Sequence, residues 1–322
     1  MKLIIQIPCY NEEKTLEETF NDLPDSIDGI DEIEYLIIDD GSTDDTVSVA
    51  NKLGIHHVVS FKQNKGLAAG FMAGIDACLR LGADIIVNTD ADNQYFGEDI
   101  KRLVKPIVEG HYDIVIGSRP IDDTEHFSKN KKLFQHLGSW VVRKASNTSI
   151  SDAPSGFRAY SRQAAMKLNV MNQYTYTLET IIQAGQNKIA ITSTPIRTNP
   201  ETRKSRLFKS TQTYVKRSTV TIIRAYMMYS PLRFFSILGS TIFAVGLIVA
   251  IRFVVLYSQG FGRGHVQSLI LSSILLLLGF QTIFMGFQAD LIASNRKLLE
   301  DIQCRVRKLD YDSDRINGED KK

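Results

Sequence analysis

The stretch "DIIVNTDADNQY", Asp84–Tyr95, decides how the rest of the chain is read. Three apolar residues, Ile85, Ile86 and Val87, deliver the chain to two carboxylates one residue apart, Asp90 and Asp92. A short, wholly apolar run is the pattern of a parallel strand covered on both faces. Asp and Asn are common turn residues, so the bland reading is a strand that ends in a solvated turn. The sharper reading is a divalent cation shared by both carboxylates. The neighbouring sequence discriminates between them.

Working outward, strand and helix patterns alternate. Lys2–Ile7 reads as a strand, Glu12–Asn21 as a helix, Glu34–Asp39 as a strand and Thr46–Leu53 as a helix. His56–Ser60 reads as a short strand and Gly66–Leu81 as a helix whose Ala and Gly content suits close packing on a sheet. Asp84–Asn88 is the next strand, Ile100–Glu109 a helix, and "YDIVIGS", Tyr112–Ser118, another strand. This order predicts an α/β domain with an open, mostly parallel sheet. Ligands of such sheets bind beyond the carboxyl ends of the strands. "PCYNEE", "DDGSTDDT", "DADNQ" and "GSR" each follow a strand, so all four are expected to converge on one cleft. The turn after the first strand carries no GxGxxG, which argues against a dinucleotide-binding dehydrogenase, and no GxxxxGK[ST] pattern appears. Hard oxygen ligands suit Mg²⁺ or Mn²⁺ bridging carboxylates to phosphates.

The 322 residues carry a formal net charge of +2, which gives no bulk affinity for nucleic acid. Cys9, Cys78 and Cys304 lie far apart with no metal-site spacing. They read as reduced thiols. The first apolar run is too short for a signal-peptide core. No Asp or Glu occurs from Thr202 to Ala289. Inside that region 234–251 and 266–289 are free of charge, long enough to cross a bilayer as two spans of about 234–257 and 266–289. Arg252 lies near the far end of the first, where it can snorkel. Basic residues flank the pair (Arg224, Arg233, Arg296, Lys297), while the connecting loop "SQGFGRGH" holds only Arg263 and His265. The positive-inside rule then places both termini in the cytoplasm. Ahead of the spans, Phe208, Val215, Ile222 and Tyr226 share one helical face, and Lys209, Lys216, Arg217 and Arg224 another. That is the pattern of a helix lying in the membrane interface against anionic lipid. The expected organisation is a catalytic domain at 1–200, a juxtamembrane segment at 201–230, two spans within 231–289 and a tail at 290–322. The charged end of that tail, Asp310–Lys322, is expected to be disordered.

The motifs "IPCYNEE", "IIDDGSTDDT", "NKGLAAG", "DADNQ" and "SGFRAYSR", in this order, resemble those of glycosyltransferase family 2. With two C-terminal spans, the chain looks most like the polyprenyl-phosphate glycosyltransferases of that family. The resemblance covers roughly residues 1–230 by motif. It implies a GT-A (Rossmann-like) domain and inverting transfer of one sugar from a UDP- or GDP-sugar to a polyprenyl phosphate at the cytoplasmic membrane face. The alternative it leaves open is a glycolipid or lipid-linked oligosaccharide acceptor. A QxxRW motif, which marks the family's processive polysaccharide synthases, is not found. By position, Pro8, Tyr10, Asn11 and Glu12 are expected to line the nucleotide pocket, with Lys65 and Ala91 also at the donor. Asp39 is expected at the base and Asp40 near the ribose. Asp90 and Asp92 match the family's DxD metal pair, with Gln94 as a third metal-side ligand, and Asp92 is further expected to act in catalysis. Arg119 and Arg158 are expected to face the phosphates, and Arg203, Ser205 and Arg206 to hold the lipid phosphate. The cofactor implied is Mg²⁺ or Mn²⁺. The partners implied are the donor, the lipid acceptor and membrane lipids, with room for a homo-oligomer and no role for nucleic acid.

Overall fold

A computed structural model describes residues 1–120, 138–144, 146–170, 176–200, 219–220, 223–224, 226–261 and 264–319. The chain divides into two compact units, Met1–Ile222 with Asp301–Lys322, and Ile223–Glu300.

The first unit is built on one seven-stranded sheet. Its strands are β1 (Lys2–Cys9), β2 (Glu32–Asp39), β3 (His57–Ser60), β4 (Ile85–Asn88), β5 (Ile114–Ser118), β6 (Arg158–Ser161) and β7 (Ile191–Pro195), in the order β3-β2-β1-β4-β6-β5-β7. The helices are α1 (Leu16–Asn21), α2 (Thr46–Lys52), α3 (Leu67–Arg80), α4 (Ile100–Val108), α5 (Arg162–Lys167) and α6 (Thr177–Gln186). Leu3, Ile4, Ile5, Leu36, Ile37, Ile86 and Val87 are buried, as a sheet covered on both faces requires. The expected close packing of the Ala- and Gly-rich helix is real: a Cβ on Gly74 of α3 would lie 2.2 Å from Gln6 Oε1 of β1.

Two details depart from the sequence reading. The sheet is mixed, because β6 runs antiparallel to both β4 and β5. Neither β6 nor β7 was expected. Two reversals restore direction, so β1, β2, β4 and β5 are parallel and their carboxyl ends share one edge. The first helix also starts at Leu16 rather than Glu12. The backbone N–H of Glu12 goes to Thr46 Oγ1 (2.8 Å), and a turn closed by Thr15 N on Glu12 O (3.1 Å) precedes the helix.

The second unit contains α7 (Pro231–Ser258) and the start of α8 (Val266–Glu319). Both are long and apolar enough to cross a membrane, with mean hydropathies of 2.4 and 2.1 and only 11% and 17% of the apolar windows buried. That burial is too small for core helices of a water-soluble fold. Small residues let the two backbones meet. A Cβ on Gly279 would lie 2.6 Å from Phe243 N, one on Gly239 2.7 Å from Ile283 Cγ1, and one on Gly246 2.9 Å from Leu275 Cβ. On α8, Gly279 and Gly286 lie seven residues apart on this seam, and the buried Ser272 and Ala293 continue the same spacing on either side.

The expected disorder of Asp310–Lys322 is overturned over 310–319, since α8 runs on to Glu319, and 320–322 lie outside the described residues. Within the first unit, Arg307 Nη1 donates to the carbonyls of Met166 (3.2 Å) and Leu168 (2.9 Å). Tyr311 Oη donates to Asp76 Oδ1 (2.6 Å), and Arg80 pairs with Asp310 (2.9 Å). These bonds supply what the polar composition could not predict. Most of the expected juxtamembrane helix lies outside the described residues, as do Arg203, Ser205 and Arg206.

Candidate active site

Loops leave the shared carboxyl edge after β1, β2, β3, β4 and β5, and polar residues fasten each of them. After β1, Asn11 takes a left-handed conformation (φ 57°), and its Oδ1 accepts from Thr43 N at 2.7 Å. Asn11 N donates to Ser42 Oγ (2.9 Å), so the first loop is tied to the second. After β2, Asp39 Oδ1 accepts from Ser42 N (2.9 Å). Asp40 uses both oxygens on the third loop, accepting from Lys65 N (2.6 Å) and Gly66 N (2.9 Å). The glycine between them and the helix is required: Gly41 has φ 73°, and a Cβ there would lie 2.7 Å from the Gln63 backbone. Asp39, Asp40 and Glu12 are buried, whereas the Tyr10 side chain is 41% exposed. The Lys65 ammonium lies over the Phe61 ring at 4.4 Å.

The DADNQ loop is the most heavily braced. Thr19 Oγ1 donates to Ala91 O (3.0 Å), and Gln94 N donates to Asp92 Oδ1 (3.3 Å). Buried Asp99 holds Arg197 through Nη2 (2.6 Å) and the backbone N (2.6 Å), and the Arg197 guanidinium covers the Phe96 ring at 3.9 Å. Asn199 Nδ2 donates to Asn93 O (3.1 Å), and Asp22 Oδ2 accepts from Gly97 N (2.7 Å).

Burial and the neighbouring Asp92 charge push the Asp90 carboxyl up, to about 7, with Glu12 adding a smaller repulsion. Arg119 and the Tyr95 hydroxyl oppose that rise. Arg119 is anchored by a two-toothed bond to Asp152 (Nε to Oδ2 2.7 Å, Nη2 to Oδ1 3.0 Å). One side of Asp90 is open to Gly156: a Cβ there would lie 3.2 Å from each carboxylate oxygen. Behind this, Gln6 Nε2 donates to Asn88 Oδ1 (2.9 Å), and Asn88 Nδ2 donates to Gly156 O (3.0 Å) and Tyr176 Oη (2.9 Å). Two like charges held together at the cost of a raised pKa fit a hard divalent cation, which removes the cause of the rise. Among the described residues no group of three His, Cys, Asp or Glu side chains gathers as a metal site.

Arg158 is the correction. Its side chain is fully buried, and its guanidinium donates to Ser155 O (2.7 Å), Ala153 O (2.8 Å), Thr177 O (2.9 Å) and Thr180 Oγ1 (2.8 Å). Protein acceptors take four of its five N–H groups and the side chain is fully buried, so it does not face a phosphate. It ties the 153–155 turn to α6 instead. The residue of "SGFRAYSR" that lies against the Asp90 carboxylate is Gly156. Asp22, Asp99, Asp152, Arg197 and Asn199 were also missed. Their types gave no signal in sequence, because each acts through a partner at least 33 positions away.

The chain is 32% identical over 216 residues to a UDP-N-acetylglucosamine–dolichyl-phosphate N-acetylglucosaminyltransferase of Methanococcus voltae, covering 60% of this chain and 83% of that protein. It is 25% identical over 328 residues to an undecaprenyl-phosphate 4-deoxy-4-formamido-L-arabinose transferase of Proteus mirabilis, covering 95% and 92%. Glucosyl-3-phosphoglycerate synthase of Mycobacterium tuberculosis, solved with Mn²⁺, UDP and glucosyl-3-phosphoglycerate, superposes with a TM-score of 0.54 at 18% identity, over 70% of this chain and 78% of that one. That likeness shows the GT-A fold. The model described as glycosyl transferase family 2 matches residues 4–168, just over half the chain, and the chain belongs to that family.

Proposed function

We propose that the protein transfers one sugar from a UDP- or GDP-sugar to a polyprenyl phosphate at the cytoplasmic face of the membrane, with inversion at the sugar carbon. The observation that carries this reading is the braced Asp90–Asp92 pair, facing Arg119 on the ligand-binding edge of a family 2 sheet, in a chain that also bears two apolar helices. The names of the relatives support the acceptor class.

In this reading Pro8, Tyr10, Asn11, Glu12, Asp39 and Lys65 form the nucleotide side. Asp40 holds the Lys65–Gly66 amides in place for it. Asp90 and Asp92, with Gln94 and the backbone around Ala91, hold Mg²⁺ or Mn²⁺, which when bound neutralises the diphosphate. Arg119 adds a fixed positive charge that costs no reorganisation, because Asp152 already orients it. Arg203, Ser205 and Arg206 receive the lipid phosphate. A phosphate monoester is ionised near neutral pH, so its oxygen attacks the sugar carbon without a base. The carbon–oxygen bond to the diphosphate breaks, and the nucleoside diphosphate leaves with the electron pair. Catalysis then reduces to positioning and to relief of repulsion between two anions.

The test is transfer of radiolabel in detergent from a panel of UDP-, GDP- and dTDP-sugars to undecaprenyl phosphate, with Mg²⁺ or Mn²⁺. Label in a mild-acid-labile lipid from one donor, lost in Asp92→Ala, supports the reading. Label that enters only a glycolipid or a lipid-linked oligosaccharide refutes the acceptor. No transfer from any donor, with nucleotide still bound, refutes the reaction.

A further inference from the structure

Past Ala289, α8 carries two opposite faces. One packs: Ala293 and Tyr311 are buried and Arg307 is hydrogen-bonded. The other is apolar and open. Ile292, Leu299, Ile302, Val306 and Leu309 are 70%, 64%, 54%, 58% and 73% exposed. With Asn295 they fall at alternating steps of three and four, 292-295-299-302-306-309, which is the a and d spacing of a heptad repeat. We propose that this face forms a parallel coiled coil with the same face of a second copy of this chain.

Three observations favour a second copy over lipid. First, the 24 charge-free residues 266–289 already span about 36 Å, more than the ~30 Å hydrocarbon core. The open stripe begins where the hydrocarbon ends. Second, the same stretch carries Asp290, Arg296, Lys297, Glu300, Asp301, Arg305, Arg307 and Lys308, which the hydrocarbon excludes. Third, one flanking pair is complementary in charge. In this register Arg305 occupies a g position and Asp310 the e position five residues on, where a parallel partner's g residue points. Both are exposed, at 78% and 53%. Each already has one ion pair, Arg305 with Asp301 and Asp310 with Arg80, both at 2.9 Å, and a carboxylate accepts more than one donor. Asn295, at a d position of the seam, would meet its own counterpart in the parallel, in-register arrangement, whereas a shifted register would leave its amide against apolar side chains.

Residues 292–309 make only two and a half heptads, below the three to four of a free coiled coil. Membrane anchoring changes that comparison. Two copies held in one plane with the same orientation meet at high effective concentration, and only the parallel arrangement is open to them. This orientation rests on the proposed membrane insertion, which is checked separately by whether the protein needs detergent for extraction.

The experiment uses the full chain with Cys304→Ser, leaving only the buried Cys9 and Cys78. A single cysteine is then introduced at the seam (Ile302→Cys) or on the outward side (Lys297→Cys). Each protein is reconstituted in phosphatidylcholine vesicles at low protein density and oxidised. The seam cysteine is expected to cross-link at least tenfold faster than the outward one. Adding Leu299→Glu and Val306→Glu, both at exposed positions, is expected to remove that advantage. Equal rates at the two sites, or no cross-link at either, overturns the proposal. So does quenching of a fluorophore at position 302 by bromolipid, which would put lipid on the stripe. A detergent-requiring protein of monomeric mass by light scattering overturns the coil while leaving the membrane reading intact.

Discussion

Replacing Arg158 by lysine separates a structural arginine from one that holds a substrate phosphate. The guanidinium serves four acceptors at 2.7–2.9 Å, three of them backbone carbonyls, and none of its side chain is exposed. A lysine ammonium in the same space reaches two of them at best, because its three N–H groups diverge from one point. Two buried acceptors then lose their partner, at about 1–3 kcal/mol each. The expected loss is about 4 kcal/mol in all, which at roughly 2–4 °C per kcal/mol lowers Tm by about 10 °C. The assay is intrinsic fluorescence during heating in detergent, run beside acceptor KM measured well below the new midpoint. At that temperature KM is expected to stay within about threefold of the parent. A Tm within about 2 °C of the parent, with acceptor KM raised tenfold or more, would refute the reasoning and return Arg158 to the phosphates.

Other perturbations follow from the same geometry. The Asp90 carboxyl is raised from 3.8 to about 7 in the fold, so without metal its ionisation opposes folding increasingly as pH climbs through that range. Asp90→Asn is therefore expected to be inactive yet more heat-stable than the parent in chelator at pH 7.5. The gap should shrink toward pH 4 and on adding Mg²⁺, and a gap independent of pH would count against the assignment. Gly156→Ala puts a methyl 3.2 Å from both Asp90 oxygens and 3.1 Å from Tyr176 Oη. The metal concentration for half-maximal activity is expected to rise at least tenfold, and an unchanged metal titration would argue that Asp90 does not bind the ion. Gly279→Ala drives a Cβ to 2.6 Å from Phe243 N and is expected to destabilise the helix pair by about 1–3 kcal/mol. An unaltered thermal midpoint in detergent would show that the two backbones do not meet there.

Local signals were readable wherever chemistry and element coincide along the chain. The apolar runs at Ile85–Val87 and Leu36–Ile38 are buried strands, and the acidic turns after them lie on one edge. What escaped is what depends on distant partners. β6 was hidden because its four residues, "RAYS", alternate too briefly to register as a strand, and only pairing with Asn88 and Ile116 makes them one. Arg158 was misjudged for the same reason, since an arginine beside a glycine-rich turn looks free until its four acceptors are in view. The tail at Asp310 looked disordered because its anchors, Asp76 and Arg80, lie more than two hundred residues earlier. The order of site motifs was legible, and the bracing beneath them was not.

The clasp on the DADNQ loop also sets when the protein can work during its own synthesis. Asp99 waits for Arg197 and Asn93 for Asn199, partners 98 and 106 positions later in the chain. Until residues 196–199 have left the ribosome, the loop that carries the two carboxylates lacks half of its fastenings and is held only through Thr19 and Asp22. Contacts this remote close late, because the chain between them must be ordered first. A nascent chain is thus poorly formed to grip a divalent ion until the whole sheet is in place, and a C-terminally truncated product ending before Arg197 is left with the motif but not the grip.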